Sequence, residues 1–232
     1  MKFPVLLICC ILFLAVINIY GVVFGAPYLV LGSGLLFFLP LLGFYFKRLN
    51  AANLNLVAFC CFALAAILAH SLEESWYYKT AGLICFMSAY IFLGREALHY
   101  TRREHASKYM LGYFLLVVLV NSYLLIEHLL QMELYINSQA EYLLYVLYYL
   151  NLLVFGGVAL IFYLNSYSRK SVYFITLVLA FIFADVFRDM GEFYLRDTVV
   201  VVFGNLLRFA AIIFAFLFFV TPEKKLRLLH MI

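Results

Sequence analysis

The sequence predicts an all-α polytopic membrane protein: a bundle of about eight transmembrane helices, with the N- and C-termini cytoplasmic. Three observations predict it. Hydrophobic residues make up 68% of the 232-residue chain and charged residues 12%, whereas soluble domains run near half apolar and a quarter charged. The apolar residues gather into eight runs, each close to the roughly 20 residues a helix needs to cross a bilayer. The basic residues, finally, collect on every second connection between those runs. With so little chain outside the runs, there is no room for a separate soluble catalytic or receptor domain, and residues 1–232 read as one domain.

The first span, Pro4–Val23, is longer than the apolar core of a signal peptide, and Phe24 stands where a cleavage site before Ala26 would need a small residue. It reads as a retained helix. The second, Tyr28–Phe46, stops at Lys47 and Arg48. The third, Leu54–His70, stops ahead of Glu73 and Glu74. The fourth, Tyr77–Phe92, opens beside the aromatic cluster Trp76-Tyr-Tyr78 and closes into the polar segment Arg95–His105, read as a helix end and its loop. The fifth, Tyr109–Leu130, begins after Lys108. The sixth, Tyr142–Tyr163, follows Glu141 and carries Tyr148-Tyr149, placed with other aromatic pairs near the membrane interface, where aromatic belts form. The seventh, Val172–Phe193, follows Arg169 and Lys170. The eighth, Thr198–Val220, lies between Arg196-Asp197 and the basic residues Lys224, Lys225 and Arg227.

With the N-terminus inside, Lys2 and the loops after the second, fourth and sixth spans, together with the C-terminal tail, hold twelve of the sixteen basic residues. The positive-inside rule therefore favours eight spans with both ends cytoplasmic. The net charge of +4 reflects this topology and not a nucleic-acid surface. A bacterial inner membrane fits the size and the lack of sorting signals, and self-association in the membrane is compatible with the composition.

Polar chemistry concentrates at Phe183-Ala-Asp-Val-Phe-Arg-Asp-Met-Gly-Glu-Phe193. Asp185, Arg188, Asp189 and Glu192 fall at i, i+3, i+4 and i+7, on one face of a helix. Ionisable groups at membrane depth face a bundle interior or a wet cavity and are usually paired. The third, fifth and seventh spans run in the same direction. Their C-terminal halves thus bring His70, then Glu127 and His128, to the depth of this cluster. Counting about 1.5 Å per residue down the last helix sets Arg208 level with Asp185, and Asn205 shares its face. The sequence therefore predicts an outward-opening polar cavity floored by Asp185, Asn205 and Arg208, with His70, Glu127 and His128 on its walls. Asp185, Asp189, His70 and His128 are the acid–base candidates. Arg188, Glu192, Asn205, Arg208 and Glu127 are the substrate-binding candidates. An Asp185–Arg208 pair could equally be a purely structural intramembrane ion pair, as in a small transporter, sensory or scaffold subunit.

No metal or other cofactor is expected. Cys9, Cys10, Cys60, Cys61 and Cys85 lie in apolar runs without metal-ligand or disulfide spacing. No H-E-x-x-H pattern occurs, and no mid-helix lysine could hold retinal as a Schiff base.

Phe181-Ile-Phe-Ala-Asp-Val-Phe-Arg-Asp-Met-Gly-Glu-Phe193, followed by Val202-Phe-Gly-Asn-Leu-Leu-Arg208, resembles the C-terminal helix pair of the YhhN-like lysoplasmalogenase family. That family carries a Ser-Asp-Ser type motif in the penultimate helix, and Ala184-Asp185 matches its Ser-Asp. Ala65-Ala-Ile-Leu-Ala-His-Ser71 through Gly82-Leu-Ile-Cys-Phe-Met-Ser-Ala-Tyr90 is similar in layout to the family's Gly-Asp helix and the one after it. His70 stands at the place of the family's aspartate and Tyr90 at that of its helix-four histidine. The resemblance covers most of the chain. It implies an eight-helix, lipid-facing hydrolase acting on a lysophospholipid-type substrate.

Overall fold

The structure, a computed structural model, describes residues 5–45, 53–71, 76–101, 108–136, 138–166 and 168–223. The described residues fold into helices α1 (Val5–Val23), α2 (Pro27–Leu36), α3 (Phe38–Tyr45), α4 (Leu54–Ser71), α5 (Trp76–Tyr100), α6 (Lys108–Glu133), α7 (Gln139–Ser166), α8 (Arg169–Phe193) and α9 (Thr198–Val220). Among the described residues seven spans are long and apolar enough to cross a membrane, counting α2 and α3 as one, and the shorter α4 is an eighth apolar helix. The bundle's outer surface agrees with that reading. Leu6, Phe13, Leu116, Leu119, Val154 and Phe203 all stand exposed on it, an apolar cover that water-facing monomers rarely show. Lys2, Lys47, Arg48, Glu73, Glu74, Arg102, Arg103, Lys224, Lys225 and Arg227 lie outside the described residues.

The second span differs from the single helix expected. It is interrupted at Phe37, between α2 and α3. Pro40 explains this, because its ring displaces the carbonyl four residues earlier, that of Leu36, and it has no N–H to offer that carbonyl. Between α1 and α2 the chain reverses through Gly25, whose φ of +64° lies in the left-handed region that glycine enters without cost.

α5 also departs from expectation. It runs past the expected span end at Phe92 to Tyr100, so that Arg95 and Glu96 belong to the helix-end part of the Arg95–His105 segment. Glu96 is buried there at 4% exposure. Its carboxylate accepts from Nδ2 of Asn53 at 3.0 Å, Nδ2 of Asn55 at 2.6 Å and the Tyr100 hydroxyl at 3.2 Å. These three donors let a charged residue continue the helix inward.

α8 and α9 make the closest helix pair, and small residues allow it. A Cβ added at Gly204 would lie 3.3 Å from the Ala184 carbonyl oxygen, and one at Gly191 would lie 2.7 Å from Cγ2 of Val201. α7 packs between α5 and α8, α4 pairs with α5, and the α1–α2 hairpin lies against α9 and α4. α6 packs chiefly on α7 and turns most of its length outward. Both helices of the α8–α9 hairpin are capped at their N-termini. Ser168 and Ser171 form a reciprocal capping box at the start of α8, and Oδ1 of Asp197 accepts from the Val199 amide at 2.9 Å.

Candidate functional site

Because α8 and α9 approach so closely, residues on their facing sides meet directly. Asp185 and Asp189, one turn apart on α8, are both fully buried. Arg208 of α9 places Nη2 at 2.9 Å from Oδ1 of Asp185. Arg188 lies between the two carboxylates. Its Nε donates to Oδ1 of Asp189 at 2.7 Å, and its Nη1 is 3.4 Å from Oδ1 of Asp185. Two carboxylates and two guanidinium groups thus form a charge-balanced cluster, the arrangement that low-dielectric burial favours.

Three tyrosines complete the cluster. The hydroxyls of Tyr90 (α5) and Tyr148 (α7) both donate to Oδ2 of Asp185 at 2.6 Å, and that of Tyr149 donates to Oδ2 of Asp189 at 2.6 Å. Asp185 therefore accepts from four donors, two on each oxygen. Tyr148 and Tyr149, expected near the membrane interface, are fully buried instead. Their amphipathic rings suit either place, and here the buried carboxylates are their polar partners. Phe86 of α5 lies beneath both guanidinium groups, 4.9 Å from Cζ of Arg208 and 5.8 Å from that of Arg188, a cation–π arrangement.

Beside the cluster is a cavity of about 430 Å³, within the roughly 300–1,000 Å³ of ordinary ligand sites. Its polar lining is Asn18, His70, Arg188, Asn205 and Arg208, and the rest is largely aliphatic, with Val30, Ile67 and Ile212 among it. Asp185 and Asp189 do not line it. The arginines stand between the carboxylates and the cavity, which gives it a donor-rich face. Nη2 of Arg188 and Nε of Arg208 are also buried without a hydrogen-bond partner among the described residues. Orphaned buried donors of this kind are costly and call for an explanation.

The α1–α2 hairpin closes the cavity through polar contacts that sequence reasoning missed. Nδ2 of Asn205 donates to Oδ1 of Asn18 at 3.0 Å, and Nδ2 of Asn18 donates to Oγ of Ser33 at 2.9 Å. A buried Asn and Ser in otherwise apolar spans were the available signal, since isolated amides at membrane depth seek a partner on another helix.

The remaining candidates sit apart. Glu192 is paired with Nζ of Lys79 at 2.5 Å, and Glu141 shares that ammonium at 3.3 Å. Lys79 lines a small gap with His70, Tyr145 and Arg188, and His70 and Arg188 also line the main cavity. His128 is buried against Tyr149 and Tyr194 on the α6–α7 side and does not line the cavity. Glu127 corrects the expectation more fully. It is exposed on α6 and takes no part in the cavity. α6 buries only a narrow stripe against α7, and one residue along a helix is a rotation of about 100°, so with His128 in that stripe Glu127 faces outward.

Among the described residues no group of His, Cys, Asp and Glu side chains is arranged to hold a metal ion, and the five cysteines are free thiols. No family model, no curated protein and no solved structure matches the chain.

Proposed function

We propose that this chain is an integral membrane protein that takes a lysophospholipid-type amphiphile into the cavity between the α1–α2 hairpin and α4, α8 and α9. The observation that carries the reading is the lining: two guanidinium groups beside two asparagines and an imidazole, on an otherwise aliphatic wall. A phosphate fits the arginines as a charge-assisted acceptor, and a single tail fits the aliphatic part. Hydrolysis of an ester or vinyl-ether bond is the reaction we assign to the site. His70, at the position where the resemblance expects the family's acid, exchanges the proton. Asp185 and Asp189 act through the arginines that they orient. In this reading the protein sits in a bacterial inner membrane with both ends in the cytoplasm, and the cavity opens on the far side.

The test is binding and turnover by purified protein. Native mass spectrometry with 1-palmitoyl lysophosphatidylglycerol, and product analysis with lysophospholipid and lysoplasmalogen, should show both. His70→Asn should keep binding and lose turnover, while Arg188→Gln should weaken binding at least about tenfold, the loss of one charge-assisted contact. Failure of wild-type protein to retain the lipid would refute the reading.

A second reading has one observation in its favour. Asp185 already accepts four hydrogen bonds, which suits a structural ion pair in a non-enzymatic transporter, sensory or scaffold subunit. Lipid binding without turnover by any lysophospholipid would select it.

A further inference from the structure

A hydrogen-bonded track reaches the ionic cluster from α6 and α7, and none of its members lines the cavity. It begins at Tyr194, half-buried just past the end of α8. The Tyr194 hydroxyl lies 2.9 Å from Nδ1 of His128, whose Nε2 lies 2.7 Å from the Tyr149 oxygen. Tyr149 commits its one proton to Asp189 at 2.6 Å. Nε2 of His128 must therefore donate to Tyr149, and in the neutral imidazole Nδ1 then accepts from Tyr194. Burial, and after it the Asp189 carboxylate, push the Tyr194 hydroxyl above its ordinary range, which keeps it a donor. Every link from the helix end to Asp189 thus points the same way.

The charge count gives this track a use. Asp185 and Asp189 balance Arg188 and Arg208, so a headgroup phosphate meeting both arginines adds a negative charge with nothing to cancel it. An uncompensated charge in a buried site is strongly unfavourable. Of the two carboxylates, Asp189 is the less heavily hydrogen-bonded. It accepts one hydrogen bond on each oxygen, from Arg188 and Tyr149, against the four donors around Asp185.

We propose that binding of an anionic headgroup at Arg188 and Arg208 is coupled to uptake of one proton by Asp189, delivered through Tyr194, His128 and Tyr149. The proposal rests on the headgroup reading above. A hydronium ion at the helix end protonates the Tyr194 oxygen as the original Tyr194 proton moves to Nδ1 of His128. The Nε2 proton of His128 passes to Tyr149, the Tyr149 proton passes to Oδ2 of Asp189, and water is left behind. His128 has then exchanged tautomers, each relay group is neutral again, and the positive charge left in the cluster meets the phosphate.

Other titratable groups face this region. Tyr145 and Tyr148 of α7 approach Asp189 with phenol groups. Lys79 of α5 is held by Glu141 and Glu192. His70 of α4 shares the small gap with Arg188 and is the rival proton acceptor. Because the lipid-bound state holds the extra proton, affinity rises as pH falls.

The test is calorimetric titration of the full chain in detergent micelles with 1-palmitoyl lysophosphatidylglycerol, run in two buffers of different ionisation enthalpy. About one proton should be taken up per lipid, with affinity rising as pH is lowered, by about tenfold per pH unit where uptake is one full proton. Asp189→Asn, which mimics the protonated carboxyl, should bind tightly at every pH with no uptake. His70→Asn should keep the uptake. Wild-type binding without uptake, or uptake that survives Asp189→Asn and disappears in His70→Asn, overturns the coupling and leaves the headgroup reading standing. Absence of binding at every pH overturns both. If Asp189→Asn does not fold, the wild-type buffer comparison and His70→Asn decide the matter.

Discussion

Arg208→Met removes one charge from the centre of the bundle while keeping a side chain of similar reach. Nη2 of Arg208 lies 2.9 Å from Oδ1 of Asp185, and the two side chains are 12% and 0% exposed. Breaking a buried pair by deleting one partner costs about 3–5 kcal/mol, because the other charge stays behind unmatched. Asp185 would keep Tyr90 and Tyr148 at 2.6 Å and Arg188 at 3.4 Å, which places the expected loss near the lower end, about 3 kcal/mol. For a chain of this size each kcal/mol moves the unfolding midpoint by about 2–4 °C. Thermal unfolding in detergent should therefore fall by roughly 6–12 °C. Adding Asp185→Asn removes the stranded charge and should restore a good part of the loss, giving a coupling of about 1–3 kcal/mol in the double-mutant cycle. A single-variant loss below about 1 kcal/mol, or strictly additive effects, would refute the account of Asp185 and Arg208 as a mutually dependent pair.

Three further outcomes follow from the packing. Asn18→Leu removes the hydrogen bonds that join α1 to Ser33 and Asn205. It should cost about 1–2 kcal/mol in the same unfolding assay and raise proteolysis at the α1–α2 hairpin. Gly204→Leu forces apart α8 and α9, where even a Cβ would lie 3.3 Å from the Ala184 carbonyl oxygen. A loss of about 1–3 kcal/mol is expected, together with weaker lipid binding, because Arg208 is carried away from Asp185. Arg196 sits at φ 49° in the α8–α9 turn, so Arg196→Gly should raise stability by up to about 1 kcal/mol, and a lowered midpoint would contradict that.

The spans were legible because hydropathy is a property of the linear chain, and lipid selects long apolar runs whatever their neighbours are. The level of Arg208 with Asp185 was legible for a related reason: helical rise turns sequence distance into depth. Side-chain partners across helices were not. Tyr148 and Tyr149 read as interface aromatics because nothing local tells a tyrosine whose hydroxyl meets headgroups from one whose hydroxyl meets a buried carboxylate. The burial of Glu96 was not legible because the three donors that let it stay inside come from Asn53, Asn55 and Tyr100, two of them some forty residues away. Glu127 and His128 were taken together for their shared depth, yet α6 buries only a narrow stripe against α7, too narrow to hold two residues about 100° apart.

The i, i+3, i+4, i+7 spacing of Asp185, Arg188, Asp189 and Glu192 fixed a face but not the order of charges across it, and that order changes how the obvious mutant must be read. With the carboxylates behind the arginines, Asp185→Asn disturbs both guanidinium groups at once, so loss of activity in that variant would not identify Asp185 as a group that reacts with substrate. His70 lines the cavity without belonging to the four-charge cluster. The informative comparison is therefore Asp185→Asn against His70→Asn, each scored for stability, lipid binding and turnover. A positioning carboxylate should lose stability and binding together with turnover. A proton-exchanging imidazole should lose turnover alone. If instead Asp185→Asn keeps wild-type stability and binding and loses only turnover, the carboxylate itself reaches the substrate, and the donor-faced cavity described above is not the arrangement in which the chemistry occurs.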